Sequence, residues 1–140
     1  MDFAIARLSR ILADLTVSDA VETDPEDLDG IPISSQPLYL NATATGSTTL
    51  APRELLDELL AIERDFGRER PYPGAPRTLD LDLILYGDAV VDEPGLRVPH
   101  PRFRERFFVL GPLAEIAPAM VDPVSGLRVG ELLRDLLRRR

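Results

Sequence analysis

Two aspartates, Asp80 and Asp82, stand one residue apart in the run APRTLDLDLILYG, where they alternate with Leu79, Leu81, Leu83 and Leu85. On an extended strand alternate residues share a face, so both carboxylates would project together, about 6–7 Å apart, while the leucines turn to the core. Two close carboxylates repel one another and call for a cation between them. Mg²⁺ is the natural choice, because it is held by one or two carboxylates together with substrate phosphates. A solvent-exposed edge strand has the same alternation, so the spacing alone leaves both readings open.

Arginine supplies charge of the opposite sign on either side of the pair. Arg68, Arg70 and Arg77 precede it, and His100, Arg102, Arg104 and Arg106 follow. A guanidinium binds phosphate oxygens in bidentate fashion and stays charged at any working pH. Arg102 and Arg104 are expected to pair with the acid-rich first half of the chain, which leaves Arg70, Arg77 and Arg106 as the better phosphate candidates. Glu63 falls on the helix face of Leu56, Leu59 and Leu60, and a half-buried glutamate needs a partner. That partner is expected to be either an arginine or a ligand, with Glu63 acting in the second case as an acceptor or as a brace for the arginines. His100, the sole histidine, sits between Pro99 and Pro101 as a positioned donor in a loop.

The elements that must hold these groups can be read from periodicity. Ala4, Leu8, Ile11, Leu12 and Leu15 predict an amphipathic helix over 3–15, and residues 16–22 predict a strand. DPEDLDGIPISSQP at 24–37 reads as a surface loop. PLYLNATATGS predicts one strand with Leu38, Leu40, Ala42 and Ala44 on one face and Tyr39, Asn41, Thr43 and Thr45 on the other. Pro52 opens a helix and Gly67 is placed to end it. A Pro/Gly loop with arginines follows, then the LDLDLILY strand, a Gly-Asp turn and a return strand AVVD as a hairpin, with a further arm at LRV, 96–98. FFVLGPLAEIA reads as a helix interrupted by Pro112, and VGELLRDLLRRR as a last helix. Helices interspersed with hairpins favour an α+β sheet with antiparallel pairs.

Composition closes several chemistries. All 16 basic residues are arginine and there is no cysteine, so a lysine nucleophile, a P-loop lysine, a thiolate and a Cys-type zinc site are excluded. The net charge of −8 argues against nucleic acid as a main partner. Residues 1–66 hold 13 acids against 4 arginines, whereas residues 67–106 hold 7 of each, which concentrates cationic charge beside the aspartate pair. No run is long enough to span a bilayer, and the start lacks a signal-peptide pattern, so no membrane association and a cytoplasmic location are expected. The length of 140 residues fits a single domain over 1–140.

The runs YLNA, TLAPRELLDELLAIE, GRERPYPGAPRTLDLDLILYGD and VPHPRFRERFFVLGPLAEIAP together resemble the 6-hydroxymethyl-7,8-dihydropterin pyrophosphokinases of folate biosynthesis over roughly residues 38–118. The resemblance implies transfer of diphosphate from ATP to 6-hydroxymethyl-7,8-dihydropterin with release of AMP, and a ferredoxin-like, mainly antiparallel sheet layered with helices. It makes Asp80 and Asp82 ligands to two Mg²⁺ ions bound with ATP. Glu63, Arg70, Arg77, Leu83, His100 and Arg106 match nucleotide-side positions, and Arg68 and Arg77 join the aspartates as catalytic residues. Tyr39, Asn41 and Phe108 match the pterin side, with Asn41 hydrogen-bonding the heterocycle and Phe108 stacking on it. ATP and the pterin are then the partners of an expected monomer, with a dimer as the alternative if a second chain covers an exposed sheet.

Departures from the family pattern are also legible. The expected first central strand and its Gly-Ser-Asn turn are missing, and Thr23-Asp24-Pro25 only loosely matches a Thr-x-Pro turn. Pro73 and Gly74 stand where many members carry an arginine and a tryptophan, with Tyr72 as a substitute aromatic. These departures keep a second function open: a catalytically impaired member that binds nucleotide, pterin or a protein partner.

Overall fold

The computed structural model describes residues 2–23, 39–68 and 79–139. The chain contains α1 (Asp2–Ile11), β1 (Ala13–Val17), β2 (Val21–Thr23), β3 (Tyr39–Asn41), β4 (Ala44–Ser47), α2 (Pro52–Arg68), β5 (Val91–Glu93), β6 (Leu96–Val98), α3 (Phe107–Ile116) and α4 (Val129–Arg138). The described strands pair two by two, β1 with β4, β2 with β3 and β5 with β6. In the last two pairs the strands are antiparallel, with Val21 opposite Asn41 and Val91 opposite Val98. The fold is α+β, as the alternation of patterns implied. Two compact units divide it: Met1–Leu15 with Gly46–Pro101, and Thr16–Thr45 with Arg102–Arg140. No helix among the described residues is long and apolar enough to cross a membrane.

In the first unit α2 is the platform. The Ala51 N–H donates to the Glu54 side chain at 2.8 Å, closing the first turn of a helix that opens on Pro52. Leu55, Leu59 and Ile62 bury one face of α2 against Leu8 of α1, and Leu12, Leu50, Leu79, Leu81, Leu83 and Tyr86 pack around them. The buried side chains Leu8, Leu55, Leu59 and Ile62 each contribute roughly 1.5–3 kcal/mol, and the partly buried ones less. Arg7 and Asp65 join α1 to α2 at 2.7 Å, a partly exposed pair that adds at most about 1 kcal/mol. The buried stripe differs from the predicted one, since Leu60 is 42% exposed and Ile62 only 1%. The helix is rotated by about one residue because packing against α1 selects the 55, 59, 62 row.

Residues 79–86 form no strand, contrary to expectation. Their backbone groups find other partners: the Leu81 N–H donates to Glu63, and the Ile84 carbonyl accepts the His100 N–H at 2.9 Å. The Gly-Asp turn is present, with the Ala89 N–H donating to the Tyr86 carbonyl and Gly87 at φ +52°, yet it closes no ladder. The hairpin is instead β5–β6, turning at Gly95 with φ +78°. Arg53 of α2 holds that turn through Glu93 at 3.0 Å and the Pro94 carbonyl at 3.1 Å.

The second unit packs α3 and α4 on a 3-10 turn at Phe103–Glu105, burying Phe103, Leu110, Leu113, Val129, Leu132 and Leu136. Pro112 does not interrupt α3; it lies inside the helix and is buried, and it removes only the N–H that would reach the Phe108 carbonyl. The strand expected over 38–45 is two strands, and the one expected over 16–22 is replaced by β1 and β2. Ser18 explains both breaks, because its N–H donates to the Thr43 carbonyl at 2.8 Å while its hydroxyl accepts the Thr43 N–H at 2.9 Å. Those bonds take Thr43 out of any continuous ladder. Leu40, on the face opposite Asn41, is 58% exposed. Leu15, expected on the first helix, belongs to β1, since α1 ends at Ile11.

The rotated face of α2 has a measurable consequence. Ile62→Ala should destabilise the protein by about 2–5 kcal/mol, whereas Leu60→Ala should cost less than about 1 kcal/mol, as read from urea unfolding. The reverse ranking would restore the predicted face.

Candidate functional site

The first unit carries the paired carboxylates. Leu79, Leu81 and Leu83 pack against the α1–α2 core, while Asp80 and Asp82 between them are exposed. The alternation read from the sequence therefore holds over 79–83 although no strand forms. Leu85 lies outside that core cluster, so the alternation ends before it. The ion pairs among the described residues leave both carboxylates untouched. Among the described residues no group of three or more His, Asp or Glu side chains gathers as a self-sufficient metal cage. Two exposed carboxylates are the donor set Mg²⁺ uses when phosphates complete its shell.

Glu63, half-buried on α2, accepts the Leu81 N–H at 2.5 Å through one carboxylate oxygen. Its partner is a backbone amide, where an arginine or a ligand was expected. The His100 backbone is tied to Ile84 at 2.9 Å and its ring is half-buried, one residue past the buried Pro99 and two past β6. Leu83 is half-buried in the same unit. Glu63, Asp80, Asp82, Leu83 and His100 are thus carried by one compact unit. Arg70, Arg77 and the Arg68 side chain lie outside the described residues, as do Tyr72, Pro73 and Gly74.

The second unit carries Tyr39, Asn41, Arg106 and Phe108. Tyr39 and Asn41 occupy β3, held by pairing to Thr23 and Val21 of β2, and the Tyr39 side chain lies outside the described residues. The Asn41 amide reaches the Val21 carbonyl at 3.5 Å. Arg106 caps α3, its carbonyl accepting the N–H groups of Val109 and Leu110 at 3.0 Å. Its guanidinium lies 5.6 Å from the centroid of the half-buried Phe108 ring, a cation–π contact. A planar ring and a delocalised cation at a helix start suit a flat heterocycle and an anion respectively.

Arg104 has a structural partner, as expected, but in a different place. It grips Asp122 in bidentate fashion at 2.6 and 2.9 Å, while the acid-rich first half had been the expected source of a counter-charge. Asp122 is fully buried and also accepts from the Ser125 hydroxyl at 2.8 Å and the Val124 N–H at 3.1 Å. Burial opposes ionisation of Asp122, yet the hydrogen bonds from Arg104, Ser125 and Val124 outweigh it and hold the carboxyl at about 2. The same contact raises the Arg104 pKa. The local signal was the Asp-Pro-Val-Ser-Gly run, an aspartate placed to cap its own turn. The pair clamps the 3-10 turn to the α3–α4 connection, two residues before Arg106.

The family model for 7,8-dihydro-6-hydroxymethylpterin-pyrophosphokinase matches residues 1–118. Curated relatives include three proteins named 2-amino-4-hydroxy-6-hydroxymethyldihydropteridine pyrophosphokinase. That of Synechocystis sp. is 52% identical over 101 residues, 72% of this chain and 52% of the relative. That of Pseudomonas aeruginosa is 47% identical over 100 residues, 71% and 61% respectively. That of Bacillus subtilis is 43% identical over 100 residues, 71% and 57%. The chain spans between about half and three fifths of the length of these relatives.

The Arg104–Asp122 clamp gives a pH signature. A carboxyl lowered to about 2 from 3.8 contributes stability that is present above the unfolded value and lost as pH falls through the folded one. The expected loss is about 2 kcal/mol between about pH 4 and 2, measured by urea unfolding across that range. Asp122→Asn should lower stability at neutral pH and flatten the acid slope; an unchanged slope would reject the assignment.

Proposed function

This chain belongs to the 7,8-dihydro-6-hydroxymethylpterin-pyrophosphokinase family, and on that premise we propose that it carries the ATP and pterin sites of a pyrophosphokinase of folate biosynthesis. The observation that carries the reading is the pair of exposed carboxylates projecting from a segment whose leucines are packed in the core. In the reaction the hydroxymethyl oxygen of 6-hydroxymethyl-7,8-dihydropterin attacks the β-phosphorus of ATP, the bond to the α-phosphate oxygen breaks, and AMP leaves.

Asp80 and Asp82 would hold Mg²⁺, two ions accompanying ATP, and their hard oxygen donors and solvent exposure fit it. Bound there, Mg²⁺ would neutralise charge on the phosphates as it shifts during transfer. The chain's own residues do the rest. Arg68, Arg70, Arg77 and Arg106 would supply guanidinium donors to phosphate oxygens, and His100 a further positioned donor. Leu83 and Glu63 belong to the nucleotide side. Asn41 offers an amide to the edge of the heterocycle, with Tyr39 on the same strand, and Phe108 offers a face for stacking. Phosphoryl chemistry of this kind requires positioning and charge neutralisation more than a general base.

Purified protein should form AMP from ATP only when Mg²⁺ and hydroxymethyl-dihydropterin are both present. Asp80→Asn and Asp82→Asn should each lower turnover by at least about a hundredfold with an unchanged circular dichroism spectrum, the scale of losing a few kcal/mol of charge stabilisation. Near-normal turnover in either variant would remove that aspartate from the metal site. Binding of ATP and pterin without any AMP would instead identify a non-catalytic binding module.

A further inference from the structure

We propose that Glu63 is the positioning residue of the carboxylate pair: through the Leu81 amide it fixes the backbone that presents Asp80 and Asp82. The inference rests on the metal-site reading above and adds a residue that acts without touching the ion. Leu81 lies between the two aspartates, and its N–H donates to Glu63 at 2.5 Å. Residues 79–86 belong to no strand. No sheet ladder, therefore, sets where the segment sits along its own axis.

Packing alone leaves that position degenerate. In Leu79-Asp80-Leu81-Asp82-Leu83 a one-residue slip would bury the carboxylates and expose the leucines, and is forbidden by the core. A two-residue slip that brings Leu81, Leu83 and Leu85 into the places of Leu79, Leu81 and Leu83 keeps leucine at every inward position, so hydrophobic burial barely opposes it. A hydrogen bond to one particular amide removes this freedom. The acceptor is charged, which makes the bond stronger than an ordinary amide contact. Its platform is rigid, because Glu63 follows Ile62, 1% exposed, on the helix that also buries Leu55 and Leu59. Two further ties, Ile84 to His100 at 2.9 Å and the Tyr86 hydroxyl to the Leu50 carbonyl, hold the far end of the segment. Glu63 alone among these grips the peptide between the aspartates.

The test titrates Mn²⁺, as a paramagnetic stand-in for Mg²⁺, into the whole protein with a non-hydrolysable ATP analogue, following free Mn²⁺ by electron paramagnetic resonance. Glu63→Ala should weaken Mn²⁺·nucleotide binding about tenfold or more, the scale of losing an outer partner of a metal ligand, and should shift the Leu81 amide resonance upfield. Glu63→Gln keeps an acceptor oxygen at the same reach and should recover most of the affinity. Should Glu63→Ala fail to fold, Glu63→Asp, one methylene too short for Leu81, takes its place against Glu63→Gln with the same expected ranking. Affinity equal to wild type in the shortened variant overturns the proposal. Glu63→Gln binding as poorly as the shortened variant overturns it as well, because the charge would then act directly on the ligand. Asp80→Asn and Asp82→Asn separate the two levels. If they lose binding while Glu63→Ala keeps it, only the role of Glu63 falls; if they too bind as wild type, the metal site falls and takes this inference with it.

Discussion

The packing of Leu79, Leu81 and Leu83 against α1 and α2 is the constraint on which the paired carboxylates depend. Three leucines at alternate positions commit the residues between them to solvent, so the aspartates are exposed as a consequence of the core and not by a separate device. Complete burial of one leucine is worth roughly 1.5–3 kcal/mol, so even the partial burial of three exceeds the repulsion of two exposed carboxylates in water, about 1 kcal/mol or less. Repulsion therefore does not turn either one inward. Glu63 adds what the leucines cannot, a contact specific to one peptide group.

A different principle organises the second unit. There the fixed point is a buried carboxylate, Asp122, whose bidentate arginine and turn donors satisfy it where water cannot. The clamp joins the 3-10 turn at Phe103–Glu105 to the connection between α3 and α4. Arg106 begins α3 immediately beyond that turn, with Phe108 beneath its guanidinium. Arg104, expected to serve structure, does so with Asp122 as its partner, while Arg106 two residues on stacks its guanidinium on Phe108.

Much of this was legible from the chain. The alternation of leucine and aspartate, the Pro52 start of α2 and the inward tendency of Glu63 all follow from periodicity and local backbone chemistry, and each holds in the fold. Errors fall where tertiary partners decide. The row of α2 that is buried, 55, 59 and 62, depends on which side α1 occupies, and helix periodicity cannot separate it from the adjacent row 56, 59 and 60. The break between β3 and β4 is imposed by Ser18, distant in sequence and bonded to both backbone groups of Thr43. Asp122 was invisible as a partner because nothing in local sequence ties it to Arg104, 18 residues earlier.

By itself the sequence determined the chemistry on offer: no thiol, no lysine, one histidine, two aspartates a residue apart and arginines on either side, in an order that matches one family. It also determined which way the aspartates face, because alternation along an extended segment is a local property. Only the tertiary structure decided what holds them there. A strand was expected to supply a ladder, and the fold supplies the Glu63 carboxylate and the His100 amide instead, since backbone donors and acceptors must be paired but nothing local says by whom.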